Sequence, residues 1–76
     1  MGRPSTRVTN RIRELRFKHG EMTQKALADA IGLTRQTVIA IEQGKYSPTL
    51  EAAFRIAEVF AEPLDNVFSY QASSRS

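Results

Sequence analysis

Thr23-Gln24-Lys25-Ala26-Leu27-Ala28-Asp29-Ala30-Ile31-Gly32-Leu33-Thr34-Arg35-Gln36-Thr37-Val38-Ile39-Ala40-Ile41-Glu42-Gln43-Gly44 reads as two short helices joined by a glycine turn. Thr23 is placed to cap the first of them, whose apolar stripe is Leu27, Ala28 and Ile31. Gly32 falls where the chain must leave a helix with positive φ, a conformation that glycine adopts without steric cost. Leu33 is the apolar contact that often closes such a turn. Thr34 caps the second helix, residues 35 to 43, and Gly44 ends it.

The second helix has an unusual outer face. Advancing by about 100° per residue puts Arg35, Gln36, Ile39, Ala40 and Gln43 within an arc of about 140°. Val38 and Ile41 lie on the opposite side, and Glu42 sits at the border. A helix face that only meets water usually carries Glu and Lys. Arginine can pair bidentately with guanine O6 and N7, glutamine with adenine N6 and N7, and small apolar groups can touch thymine methyls. The layout is therefore that of a helix able to enter the DNA major groove and read base edges.

Further positions suit the phosphate backbone. Gln24 lies in the first turn of the preceding helix, where amide groups point outward and favour anions. Thr34 and Thr37 offer hydroxyls at the edge of the reading face, while Lys45 and Tyr46 follow it. Such contacts position a protein on a duplex without specifying sequence. Thr34 also serves as a cap, and Tyr46 is partly a core candidate. Arg16 and Glu42 form a candidate ion pair that would fix the first helix of the chain against the reader.

Outward from this unit, Val8, Ile12 and Leu15 recur at helical spacing, so a first helix is expected over residues 10 to 18, capped by Thr9 or Asn10 and stopped by Gly20. Val8 could instead belong to a short strand. On the other side, Thr49 caps a fourth helix marked by Leu50, Ala53, Phe54, Ala57 and Phe60. Pro63 suits the first position of a short fifth helix whose buried side would be Leu64, Val67 and Phe68. Residues 1–6 read as a flexible basic arm, 7–72 as the domain and 73–76 as a frayed tail.

The 76 residues suffice for one small domain. Cysteine is absent and His19 is the one histidine, so no disulfide framework, metal site or cofactor is expected. No apolar run approaches the ~20 residues that span a membrane, and no signal-peptide pattern opens the chain, so a cytoplasmic protein with no membrane or small-molecule partner is expected. The net charge of +3 is unevenly spread. Arg3, Arg7, Arg11, Arg13, Arg16 and Lys18 face Glu14 alone in the first twenty residues, whereas the segment after Lys45 is net acidic. A basic N-terminal third suits contact with a polyanion. No Ser/His/Asp or Cys/His set is apparent, so an enzyme is not expected.

The segment TQKALADAIGLTRQTVIAIEQGKYSPTLEAAFRIAEVF resembles the helix-turn-helix domain of the lambda repressor/Cro-like (xenobiotic-response-element) regulators. The resemblance covers roughly residues 8 to 72 and is most specific at Thr23-Gln24, Leu27-Ala28, Gly32, Arg35-Gln36-Thr37, Ile41-Glu42 and Gly44-Lys45-Tyr46-Ser47-Pro48. In form it is nearest to short stand-alone members such as the enterococcal cytolysin repressor. It implies an all-α domain of five helices, with a short two-stranded antiparallel sheet pairing residues around Arg7 to Asn10 with Ser69 to Ala72. It also implies a homodimer that regulates transcription, as a repressor above all, by binding operator DNA. Arg35, Gln36, Ile39 and Ala40 match the family's base-reading positions, Gln24, Thr34, Thr37, Gln43 and Lys45 its phosphate-side positions, and Arg16 with Glu42 its structural ion pair. One departure stands out: Gly20-Glu21-Met22 is one residue longer than the usual family spacing, which puts the reach of Arg16 in question.

Two functional readings remain at this point. In the first, two copies place their readers about 34 Å apart on a palindromic site in double-stranded DNA, with Phe60, Leu64, Val67, Phe68 and Tyr70 supplying the dimer interface. In the second, the exposed Ile39 face binds a protein, as in an antitoxin or accessory subunit.

Overall fold

The computed structural model describes residues 6–71. Its elements run β1 (Val8–Asn10), α1 (Ile12–Lys18), α2 (Gln24–Ile31), α3 (Arg35–Glu42), α4 (Leu50–Phe60), α5 (Leu64–Val67) and β2 (Phe68–Tyr70). The fold is thus a five-helix bundle with a small sheet that brings the two ends of the domain together. The strands are antiparallel, with Val8 opposite Tyr70, Thr9 opposite Ser69 and Asn10 opposite Phe68. The sheet implied by the family resemblance is present, with its second strand one residue earlier than expected.

The caps read from the sequence act as expected. Thr23, Thr34 and Thr49 each accept a hydrogen bond from the amide three residues on, at 2.9, 3.2 and 3.1 Å. Each satisfies one of the orphan donors of a helix start. Gly32 has φ +75° and ends α2 in the left-handed conformation. The Leu33 amide then reaches back to the Ala28 carbonyl at 2.9 Å, and the Leu33 side chain packs on the core.

The core is formed by Ile12 and Leu15 of α1, Leu27, Ala28 and Ile31 of α2, Val38 and Ile41 of α3, Ile56, Ala57 and Phe60 of α4, and Val67 of α5. Every helix therefore buries one stripe, and α2 packs against both α3 and α4. α3 is held from below by Val38 and Ile41, each 1% exposed.

Several expectations need correction. α1 starts at Ile12 rather than residue 10, because Asn10 belongs to β1. Arg11, not Thr9 or Asn10, holds the cap position without a side-chain bond, but Asn10 still satisfies the first amide of α1: its Oδ1 accepts from Ile12 at 3.1 Å. Pro63 precedes the helical residues of α5 as its cap. α4 presents Ala52, Ala53, Ile56, Ala57 and Phe60 inward, leaving Leu50 and Phe54 exposed. Small alanines let α4 approach its neighbours closely, and the bulkier pair is turned outward. Thr6, read as part of the arm, belongs to the domain: its amide bonds the Gly44 carbonyl and its hydroxyl bonds that of Ser47. The rest of the arm, Ala72 and the tail over 73–76 lie outside the described residues.

Candidate nucleic-acid interface

The outer side of α3 begins where its packed side ends. Arg35, Gln36 and Gln43 are exposed, while Ile39 and Ala40 are half-buried at the rim of the core. All five side chains of the predicted face are thus brought onto one surface, over a helix whose other side is fixed. Thr34 and Thr37 flank its start. Their hydroxyls lie 3.0 Å apart, and Thr34 also accepts from the Thr37 amide. Lys45 and Tyr46 follow the helix and are exposed, Tyr46 by 47%.

The far end of α3 is anchored by two side chains. Arg16 approaches Glu42 with two parallel bonds, Nε to Oε2 at 2.7 Å and Nη2 to Oε1 at 3.1 Å. Both side chains are only 9% exposed. A bidentate pair of this kind fixes direction as well as distance. Arg16 Nη1 also donates to the Met22 carbonyl at 2.9 Å. Gln24 Nε2 donates to Glu42 Oε1 at 3.1 Å, so this phosphate-side candidate lies partly turned inward. Its second amide hydrogen remains a donor for an outside group.

The longer connection after α1 does not break this arrangement. Gly20 and Glu21 take φ of +73° and +57° in succession. The turn then closes on α1, because the amides of Glu21 and Met22 bond the carbonyls of Phe17 and Arg16 at 3.2 and 2.9 Å. Two left-handed residues absorb the extra length, and the Met22 carbonyl comes back to meet the Arg16 guanidinium.

The second anchor is Asn10, which the sequence marked only as a possible cap. Its Nδ2 donates to the Ile41 carbonyl at 2.9 Å, and its Oδ1 accepts from the Ile12 amide at 3.1 Å. One side chain thereby ties the sheet, the start of α1 and the end of α3. Asparagine at a strand–helix junction with polar capacity on both ends was the available signal, but nothing in the sequence names its distant partner.

Arg13, Phe17, Lys25, Arg35 and Gln43 line an open groove around the buried pair, between α1, the start of α2 and α3. Charge pairing sorts the cations. Arg11 and Lys18 are within 3.0 and 3.4 Å of Glu14, Lys25 is 3.1 Å from Asp29, and Arg55 is 3.1 Å from Glu51. Among the described residues Arg7, Arg13, Arg35 and Lys45 have no carboxylate within 4.0 Å.

A family model for the helix-turn-helix matches residues 12–67. That span runs from the start of α1 to the end of α5. The chain is a helix-turn-helix protein of the lambda repressor/Cro-like family. An uncharacterized HTH-type transcriptional regulator of Methanocaldococcus jannaschii is 44% identical over 84% of this chain and 96% of its own length. A second, from Bacillus subtilis, is 42% identical over 80% and 91%. The cryptic phage CTXphi transcriptional repressor from Vibrio cholerae is 31% identical over 80% of this chain and 54% of its own. In this helix-turn-helix protein α2 and α3 are the two helices of the motif. The family is one of transcription regulators, not of enzymes.

The residues expected at a dimer interface divide in two. Phe60 and Val67 are each 1% exposed inside the protomer's own core and offer nothing to a partner. Leu64 and Phe68 are partly exposed, and Tyr70 is 69% exposed. These three line a shallow groove with Val8, Asp65 and Ser69. Residue type alone did not separate a core aromatic from a surface one.

Proposed function

We propose that this helix-turn-helix protein is a sequence-specific, duplex-DNA-binding transcriptional repressor that acts as a homodimer on a palindromic operator. One observation carries the reading: α3 sets Arg35, Gln36 and Gln43 on an exposed face, with Ile39 and Ala40 half-buried between them and Val38 and Ile41 locked beneath. In the major groove Arg35 and Gln36 read base edges, and Ile39 and Ala40 meet thymine methyls. Gln24, Thr34, Thr37, Gln43, Lys45 and Tyr46 hold the phosphates and set the docking register.

One reader covers only a few base pairs, so two-fold pairing supplies the length of a usable site. Leu64, Phe68 and Tyr70 form the contact between copies, beside the strand β2. Selection of bound sequences from a random duplex pool tests the whole reading. The expected result is a palindrome whose half-sites lie about 34 Å apart, one helical turn. Arg35→Ala then loses base choice at one position of each half-site and roughly 1–3 kcal/mol per contact. A pool in which nothing is enriched, together with salt-insensitive gel shifts, would instead leave the α3 face to a protein partner.

A further inference from the structure

We propose that Arg13, held over the ring of Phe17, binds a DNA phosphate and so extends the backbone contacts from the helix-turn-helix unit onto α1. This rests on the DNA-binding reading above and adds a contact that none of the α2 or α3 positions supplies.

The surface of α1 is divided by its one carboxylate. Glu14 draws Arg11 and Lys18 to its own flank, at 3.0 and 3.4 Å. Arg13 and Phe17 lie on the neighbouring flank, one turn apart, by the about 100° per residue of the helix. There the Arg13 guanidinium carbon stands 5.7 Å from the ring centroid of Phe17. Among the described residues no carboxylate lies within 4.0 Å of Arg13.

The other guanidinium near that ring, Arg16, is equally distant at 5.7 Å but committed to Glu42 and the Met22 carbonyl. Arg13 is therefore the cation with unused charge on this platform. Phe17 is 53% exposed, an apolar ring facing water with no core to fill. A ring face attracts a guanidinium and leaves its in-plane N–H fork open, which is the geometry that suits a phosphate. The groove that Arg13 and Phe17 line is shared with Gln24, Arg35 and Gln43, three side chains assigned to the duplex. A polyanion lying on α3 would complete this groove, and its charge complements the two unpaired arginines there.

The test is the salt dependence of the full chain's affinity for an unspecific duplex and for its selected site. Each phosphate neutralised adds about 0.9 to the slope of log affinity against log salt. Arg13→Ala is expected to make that slope shallower by about 0.9 and to weaken all sequences by the same factor, with base preference unchanged. Phe17→Leu weakens binding in the wild-type background and has no further effect beside Arg13→Ala, because the ring acts through the guanidinium. Lys18→Ala, with its ammonium paired to Glu14, leaves the slope as it was. Wild-type slope in Arg13→Ala overturns the inference, and so does an equal loss in Lys18→Ala, which would mean a diffuse charge effect. Failure of the wild-type chain to bind any duplex removes the DNA reading itself and this contact with it.

Discussion

Two helix ends in this molecule adopt the same shape with different residues. α2 ends at Gly32, φ +75°, and α4 ends at Ala61, φ +55°. In both, the next amide reaches five residues back, Leu33 to Ala28 at 2.9 Å and Glu62 to Ala57 at 3.0 Å. After Gly32 the chain continues with an apolar side chain that seals the turn. After Ala61 it continues with a glutamate whose carboxylate bonds the side chain of Asn66. The turn between α2 and α3 is thus relaxed and closed, and the turn between α4 and α5 carries strain. On the proposed function α3 must hold its register against DNA, whereas the α4–α5 corner has only to pack.

The reading unit's anchoring predicts the largest effect. Glu42→Ala leaves Arg16 buried without its partner and is expected to cost roughly 3–5 kcal/mol in denaturant unfolding. The corresponding pair on α4, Arg55 with Glu51, is exposed, so Glu51→Ala should cost no more than about 0.5 kcal/mol. Equal losses at the two sites would erase the distinction between the regions.

The two turns supply the next pair. Gly32→Ala puts a side chain into the left-handed region and should destabilise by about 1–2 kcal/mol. The added Cβ would stand 3.7 Å from Arg55 Nη1, so the cost is one of backbone conformation and not of collision. Ala61→Gly relieves the same strain, offset by the greater freedom of an unfolded glycine, and should stabilise by about 0.5–1 kcal/mol. Thermal unfolding of both variants checks the signs; a destabilising Ala61→Gly would show the corner to be unstrained.

The smallest effect concerns acid. The hydrogen bond from Arg11, together with its charge and that of Lys18, holds the Glu14 carboxyl below the usual carboxylate range. The group's folded value is depressed, so its contribution is present above the ordinary carboxylate range and fades as pH falls through the lowered value. Glu14→Gln should therefore lower stability slightly at neutral pH, leave it unchanged at acid pH, and so flatten the acid limb of the stability profile. An unchanged acid limb would mean that water screens the cluster completely.

What the sequence revealed follows the same division. α2, α3 and the start of α4 were legible because their caps, Thr23, Thr34 and Thr49, and the glycine between the motif helices act within a few residues of themselves. The α3 face was legible because Val38 and Ile41 repeat at helical spacing. The sheet was not: three-residue strands joining Val8 to Tyr70 have no period to read, and only the family resemblance supplied their pairing. Asn10 as an anchor of α3 was hidden for the same reason, its partner carbonyl being distant in sequence. On α4 the apolar residues exceed what one face can bury, so composition could not say that Ala52 and Ile56 would go inward and Leu50 and Phe54 outward. Phe60 and Val67 read both as members of a helix's apolar stripe and as interface candidates, and packing puts them in the protomer's own core.

Amide and side-chain NMR shifts recorded while a duplex operator is added compare the two regions in one experiment. The account predicts the largest changes at Arg35, Gln36, Ile39, Ala40 and Gln43, smaller ones at Gln24 and Lys45, and none along the outer face of α4 at Leu50 and Phe54. Shifts concentrated on α4 and α5 with α3 unmoved would contradict it.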